Sequence, residues 1–557
     1  MLPLKNKSYI RFLSVLAGLL CIACLSESQG QGCTRKDVTD HSSAVILKSG
    51  NFKHYVDYFN RMEDENIIQS IPNTDAWKWM ESNIPLFECP QDNFEEIYYY
   101  RWWTFRKHIR ETPQGYVITE FLVERSYADK YNMISCALGH HIYEARWLHN
   151  PVYLDDYINI WFRGNNGNPM DKLHNFSSWA ADAVYNRYLV NVDRDWVIDI
   201  LPDLVTDYKT WEKEKRLPEG LFWQYDLRDG MEESISGGRS IQNMRPTINS
   251  YMYGNAAALS KMAKLGDDAN STEEAKSADD KELQNDLKPF DYSHLSDYFS
   301  AKADTLKILV QEKLWNPENH FFETLSPEGK FYNVREAIGF IPWYFNLPDQ
   351  CYEEAWQQIT DPDGFLAPFG ITTAERRHPE FRSHGCCNCE WDGAIWPFAT
   401  SQILTAMANL LNNYSQEAVN NSIYFRLMEL YVEPQYYRGR PYIGEYLDEK
   451  TGFWLKGDQE RSRYYNHSTF NDLIITGLVG LRPRPDDTIE VNPLIPEQKW
   501  DWFCLDNVLY HGNIITIYWD KDGTKYNRKK GFHILVNGKE AVGSEKPEKL
   551  VCSLNVD

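Results

Sequence analysis

From about Gly50 to Leu478, apolar residues recur at three- and four-residue spacing in one segment after another. The pattern predicts helices over 52–60, 75–82, 94–108, 134–148, 152–162, 178–189, 196–213, 247–263, 292–314, 399–412 and 469–478. Long aromatic loops containing Gly and Pro join them, so a simple bundle is excluded. Paired helices with function-bearing loops at one end predict a mainly α fold. The expected form is an (α/α)6 toroid, two concentric rings of helices with a pocket at one rim. After Leu481-Arg482-Pro483-Arg484-Pro485 the period changes to two. Thr488 to Val491, Ile514 to Trp519 and His533 to Val536 read as strands, with turns at Asp520-Lys521-Asp522-Gly523 and Asn537-Gly538. The expected division is a leader at 1–24, a helical catalytic domain at 25–484, and a small β-sandwich-like domain at 485–557. Asp267 to Asp286 has no aromatic residue and is expected to be a surface excursion.

The chain has 557 residues, 43% of them hydrophobic and 25% charged, which is a globular balance. With 19 Trp, 35 Tyr and 26 Phe, it has enough flat rings for both a large core and a carbohydrate cleft. A net charge of −22 argues against nucleic acid as a partner, because a phosphate groove is basic. Lys5, Lys7 and Arg11 precede an apolar run from Phe12 to Cys24 that is too short to span a membrane. This reads as an export signal. Ile22-Ala23-Cys24 resembles a bacterial lipobox, so the expected membrane link is a lipid on Cys24, and the expected location is the periplasm or outer membrane of a Gram-negative bacterium. Cys386, Cys387 and Cys389 are crowded, yet a structural zinc site wants a second ligand pair. A disulfide or buried thiols are expected there, with no metal and no cofactor.

Two distant stretches place carboxylates on turn-prone segments beside aromatic residues. One is Asp226-Leu227-Arg228-Asp229-Gly230-Met231-Glu232-Glu233-Ser234. The other is Ile443-Gly444-Glu445-Tyr446-Leu447-Asp448-Glu449. Cleaving a glycosidic bond needs one carboxyl that donates a proton and one carboxylate that activates water or attacks carbon. Between them lies Trp391-Asp392-Gly393-Ala394-Ile395-Trp396-Pro397-Phe398, an aromatic wall suited to a sugar face. Tyr99, Arg101, Trp102, Trp103 and Arg106 either line such a wall or share one amphipathic helix.

These stretches resemble six-hairpin glycosidases: trehalases, glycoside hydrolase family 63 and the mannosylglycerate hydrolases. Asp229 to Ser234, followed by Arg245-Pro246-Thr247-Ile248-Asn249-Ser250-Tyr251, is similar to the segment that carries their general acid. The resemblance sets Glu232 on the acid position, where the family has Asp; Asp229 and Glu233 are the competitors. Trp391 to Pro397 resembles the family's Trp-x-Gly-Pro-x-Trp-Pro signature, with Ala394 replacing Pro. Glu445-Tyr446 and the Asp448 to Gly452 turn resemble the stretch carrying the general base, which points to Glu445. Glu120 to Glu144 sits where the family has a Trp-Asp segment lining the sugar pocket, and the pair is absent here.

The resemblance implies a glycosidase that removes a non-reducing-end sugar with inversion, and the leader makes it an exported one. Glu232 and Glu445 would be catalytic. Trp391, Trp396, Arg245, Tyr251, Asn249 and Gly393 would shape the sugar site. Two other readings remain. A polysaccharide lyase would use Tyr465, His467 and Arg101; a non-catalytic sugar-binding lipoprotein would keep the scaffold without the reaction.

Overall fold

The computed structural model describes residues 45–276, 291–384 and 389–555. Their helices are α1 (Lys53–Met62), α2 (Ala76–Asn83), α3 (Asp92–Lys107), α4 (Leu138–Ala145), α5 (Val152–Arg163), α6 (Ala180–Asn191) and α7 (Arg194–Lys215). They continue as α8 (Asp226–Asp229), α9 (Pro246–Lys276), α10 (Tyr292–Leu309), α11 (Ile341–Tyr344), α12 (Pro397–Asn413), α13 (Asn421–Val432) and α14 (Asn471–Leu473). A π turn, Ile474–Leu478, prolongs α14.

Six outer–inner hairpins make the (α/α)6 toroid. The inner helices α4, α6, α9, α11, α12 and α14 each pack on the next, and α14 returns to α4. Outside them run α3, α5, α7, α10, a 3-10 segment over Glu353–Ile359, and α13. The 3-10 segment holds its place through Trp356, whose ring meets Trp343 of α11 edge-on at 5.7 Å. The inner helices are buried on nearly every side. Hydrophobic α12 is an example: it starts on Pro397, where a missing N–H costs nothing, and hides Phe398 through Leu404 completely. Helix α3 is almost as enclosed, and it takes the Tyr99–Arg106 group into the core. Arg101 there donates to the Ser468 carbonyl and hydroxyl, both at 2.9 Å, and so braces the chain before α14.

Several elements depart from expectation, among them α11 and the 3-10 segment that pairs with it, in a region where no helix was expected. Helix α9 runs to Lys276, so the first half of the expected excursion is helical, in keeping with its helix-favouring Ala, Glu and Lys; the rest, 277–286, lies outside the described residues. Helix α13 was not foreseen, although Asn420 caps it by accepting from Ile423 N–H at 3.1 Å.

The C-terminal strands form antiparallel sheets. Trp502–Tyr510, Asn513–Asp520, Gly531–Val536 and Lys539–Ser544 lie in order in a five-stranded sheet. Its outer strand is Leu86–Glu88, from far upstream, with Leu86 opposite Asp506. Leu481–Arg482, Thr488–Val491 and Leu550–Ser553 form a second sheet of three. The Asn537-Gly538 turn has both residues at positive φ, 50° and 81°, as a two-residue hairpin requires. No helix among the described residues is long and apolar enough to cross a membrane. The leader, with Cys24, and the Cys386-Cys387 pair lie outside the described residues. Cys389 carries a free thiol.

Candidate active site

Five of the six loops that feed the inner helices contribute to one cavity of about 400 Å³. Glu120 and Cys136 precede α4, Asn175 and Phe176 precede α6, and Arg228 to Glu232 precede α9. Trp391 and Trp396 precede α12, and Glu445, Arg461, Tyr465 and His467 precede α14.

The three motifs are joined by backbone bonds. Helix α8 ends at Gly230, in the left-handed region with φ 73°, and Met231 N–H closes back on the Asp226 carbonyl at 2.9 Å. That turn delivers Glu232. Its carbonyl accepts Trp391 N–H at 3.3 Å, which ties the first motif to the second. Ile395 and Leu447 exchange two bonds of 3.0 Å, which tie the second motif to the third.

Glu232 and Glu445 therefore face one hollow. Burial, followed by the charge of Glu445, pushes the Glu232 carboxyl up to about 7. Glu445 has the opposite setting. It is 4% exposed, with Arg461 at 3.1 Å and Lys456 at 3.3 Å from Oε2. Ser462 Oγ also donates to that oxygen, at 3.4 Å.

Trp391 and Trp396 line the cavity as a stacked pair, ring centres 4.7 Å apart. Tyr446 extends the stack at 4.7 Å from Trp396. Neither indole N–H has a hydrogen-bond partner. The loop behind them is held by Glu390, which is paired with Arg382 and accepts from Tyr446 Oη at 3.3 Å.

The structure places the other expected site residues behind this wall. Asp229 is fully buried: Arg245 Nε donates to it at 2.7 Å and Ser177 Oγ at 2.6 Å. Arg245 is spent on that pair and on Ser234 and Ser236, and does not line the cavity. Asn249 bridges both backbone groups of Phe222. Tyr251 Oη accepts from Gln402 Nε2 at 2.6 Å. Gly393 stands at φ 145°, where an added Cβ would lie 2.4 Å from the Phe381 ring. Asp229, Arg245, Asn249, Tyr251 and Gly393 are thus struts of the wall rather than contacts to a sugar. Glu233 turns outward to Arg239 at 2.7 Å.

Glu120, Tyr465 and His467 line the cavity with the two glutamates. Glu120 was visible in the sequence only as part of a poor match. Its signal is tertiary, a 2.6 Å bond from Tyr465 Oη. Among the described residues no group of three His, Cys, Asp or Glu could hold a metal ion.

A closed six-hairpin ring with carboxyls gathered at its inner-helix entrances defines a glycoside hydrolase scaffold. The mannosylglycerate hydrolase MGH1-like glycoside hydrolase domain model matches residues 130–288 and 290–468, and the chain belongs to that family. Residues 481–542 match the C-terminal domain of glycosyl hydrolase family 65. A solved structure named as a sialidase is 61% identical, with a TM-score of 0.87 over 92% of this chain and 46% of that one. The present chain thus spans less than half of that protein. A family 78 rhamnosidase from a Bacillus species is 11% identical, TM-score 0.52, over 79% of this chain and 40% of that one. The family 63 mannosylglycerate hydrolase from Thermus thermophilus is 13% identical, TM-score 0.48, over 68% of this chain and 99% of that one.

Proposed function

We propose that this chain hydrolyses the bond holding a non-reducing-end sugar on an oligo- or polysaccharide, with inversion. Glu232 gives its proton to the leaving oxygen. Glu445 takes a proton from the water whose oxygen attacks the anomeric carbon from the opposite face. One observation carries this reading: two carboxyls in a single cavity have opposite surroundings. Glu232 is held up near neutral pH by burial and by a neighbouring charge, while Glu445 sits between two cations. Divergent environments of this kind separate an acid from a base. The Trp391–Trp396 stack lines the cavity with apolar ring surface for a sugar to meet.

The reading requires the two carboxyls to stand roughly 6.5–9.5 Å apart, with room for a water. It is tested by incubating the protein with a glycan panel and reading the released sugar's anomer by NMR. Release of the inverted anomer supports it. A retained anomer removes inversion. A product with a new ultraviolet-absorbing double bond would replace hydrolysis with elimination.

The basic leader and Ile22-Ala23-Cys24 support export with a lipid on Cys24. Labelled palmitate incorporated by the parent and lost in Cys24→Ala is the expected result.

A further inference from the structure

The strap that runs into α14 serves two hollows. Arg461, Tyr465 and His467 line the catalytic cavity. Arg463 and Tyr464, between them in sequence, line a second hollow of about 320 Å³, large enough for a small-molecule site. No residue lines both. Four tyrosines and three arginines face the second hollow, against two acids. Tyr437 stands between Tyr442, ring centres 5.2 Å apart, and Phe453, 5.6 Å away. Phe453 is 51% exposed, so the aromatic surface reaches solvent. Two of the lining residues hold a backbone conformation that costs them. Arg438-Gly439 turns the hairpin between the short strands Tyr436–Tyr437 and Arg440–Pro441, with φ 51° and 74°. Asn suits the first of those places, and an arginine occupies it instead. Tyr464 is left-handed at φ 58°, a rare setting for a bulky side chain. Strain of this kind gathers at ligand clamps.

We propose that this hollow is a second, non-catalytic binding site for a neutral oligosaccharide, with Tyr437 and Phe453 as its stacking surface and Arg438 and Asp458 as its polar clamp. Flat rings cover the apolar C–H face of a sugar, and charged groups make the stronger hydrogen bonds to its hydroxyls. The charges here satisfy one another. Arg438 Nη2 lies 2.9 Å from Asp458 and Arg463 Nη1 lies 2.7 Å from Glu63, while Arg440 donates to the Met62 carbonyl. A charged ligand would have to break one of these pairs; a hydroxyl would not, because each guanidinium has five N–H donors and keeps several in reserve. Tyr437 Oη donates to Asp458 at 2.8 Å, which sets the ring against the clamp. The two carboxylates are not sequestered as a proton donor must be: the Glu63 and Asp458 side chains are 31% and 68% exposed. The site holds a glycan without cutting it, and it does not depend on the hydrolytic reading above.

The test uses the full chain carrying Glu232→Gln, so that no probe is consumed. The probes are neutral hexasaccharides of glucose, mannose, galactose or xylose, with hexagalacturonate as the charged counterpart. Calorimetry reads affinity and stoichiometry, and hydrogen–deuterium exchange locates the bound sugar. At least one neutral probe should slow exchange over residues 436–442. Adding Tyr437→Ala or Phe453→Ala should abolish that protection at the same probe concentration and weaken binding at the hollow at least about tenfold, the scale of a lost stacking contact. Tyr437→Phe keeps the ring and should bind within about threefold of the unsubstituted hollow. Circular dichroism reports folding, and the exchange map of the unsubstituted hollow carries the test if an alanine variant does not fold. The proposal is overturned if no neutral probe slows exchange over 436–442, if protection by the neutral probes is confined to the catalytic segments 226–232 and 391–398, or if both alanine variants bind as the unsubstituted hollow does. Protection of 436–442 by hexagalacturonate alone overturns it as well.

Discussion

At the residue scale, the cavity depends on the difference between two glutamates. Glu232→Gln and Glu445→Gln should each lower kcat by about 10²–10⁴-fold while leaving the fold intact, measured on whichever glycoside the parent cleaves. With Glu232 raised to about 7, kcat/KM should fall on the alkaline side of that value, as the acid loses its proton. The same shift affects stability. A carboxyl whose folded pKa lies above its unfolded value favours the fold at low pH, and that contribution is lost as pH rises through the folded value. Glu232→Gln should therefore melt above the parent at pH 8, by up to about 3 kcal/mol, and match it near pH 4. The competitor acid is separable. Arg245→Met would strand the fully buried Asp229 and should cost about 3–5 kcal/mol in denaturant unfolding. Asp229→Asn should lose stability far more than it loses kcat. Glu232 and Glu445 were legible in the sequence because each sits in a short motif whose turn and aromatic neighbours are local. Arg245, Asn249 and Tyr251 were misplaced for the same reason. Their motif located them near the site, but which way each side chain points depends on Asp229, Phe222 and Gln402 across the core.

At the element scale, helices with one apolar stripe were readable, and so were strands bounded by turn residues. Helix α13 carries its cap at Asn420, an apolar series through Tyr424, Leu427, Met428 and Tyr431, and Pro434 just past its end, so its signals were present in the sequence and were missed. Asn420→Ala should lower stability by about 1 kcal/mol with activity unchanged. The loop before α12 is less forgiving. Gly393→Ala would need a conformation that L-residues rarely adopt and would drive a methyl into Phe381. We expect a lower melting temperature together with a raised KM, because Trp391 and Trp396 flank that position.

At the scale of the whole molecule, the division into a helical domain and a β domain hides an exchange of parts. The strand Leu86–Glu88 belongs to the C-terminal sheet, and no local pattern could announce a partner over four hundred residues away. Asp506, fully buried, accepts from the N–H groups of Ile46 and Leu47 and from Thr516 Oγ1 at 2.6 Å. His511 of the sheet donates its N–H to the Val190 carbonyl at the end of α6. A chain ending at residue 484 would leave these groups without partners, and should express as insoluble or protease-sensitive material rather than as an active toroid. The ring has a consequence in time as well as in space. Because α14 is the helix that meets α4, the hollow does not exist until the last inner helix has left the ribosome. A nascent chain arrested before residue 465 has made Glu232, Glu445 and the tryptophans but not Tyr465, His467 or the helix that closes the ring. Two separately expressed pieces, cut between α13 and α14, should each be inert and should recover turnover only when mixed.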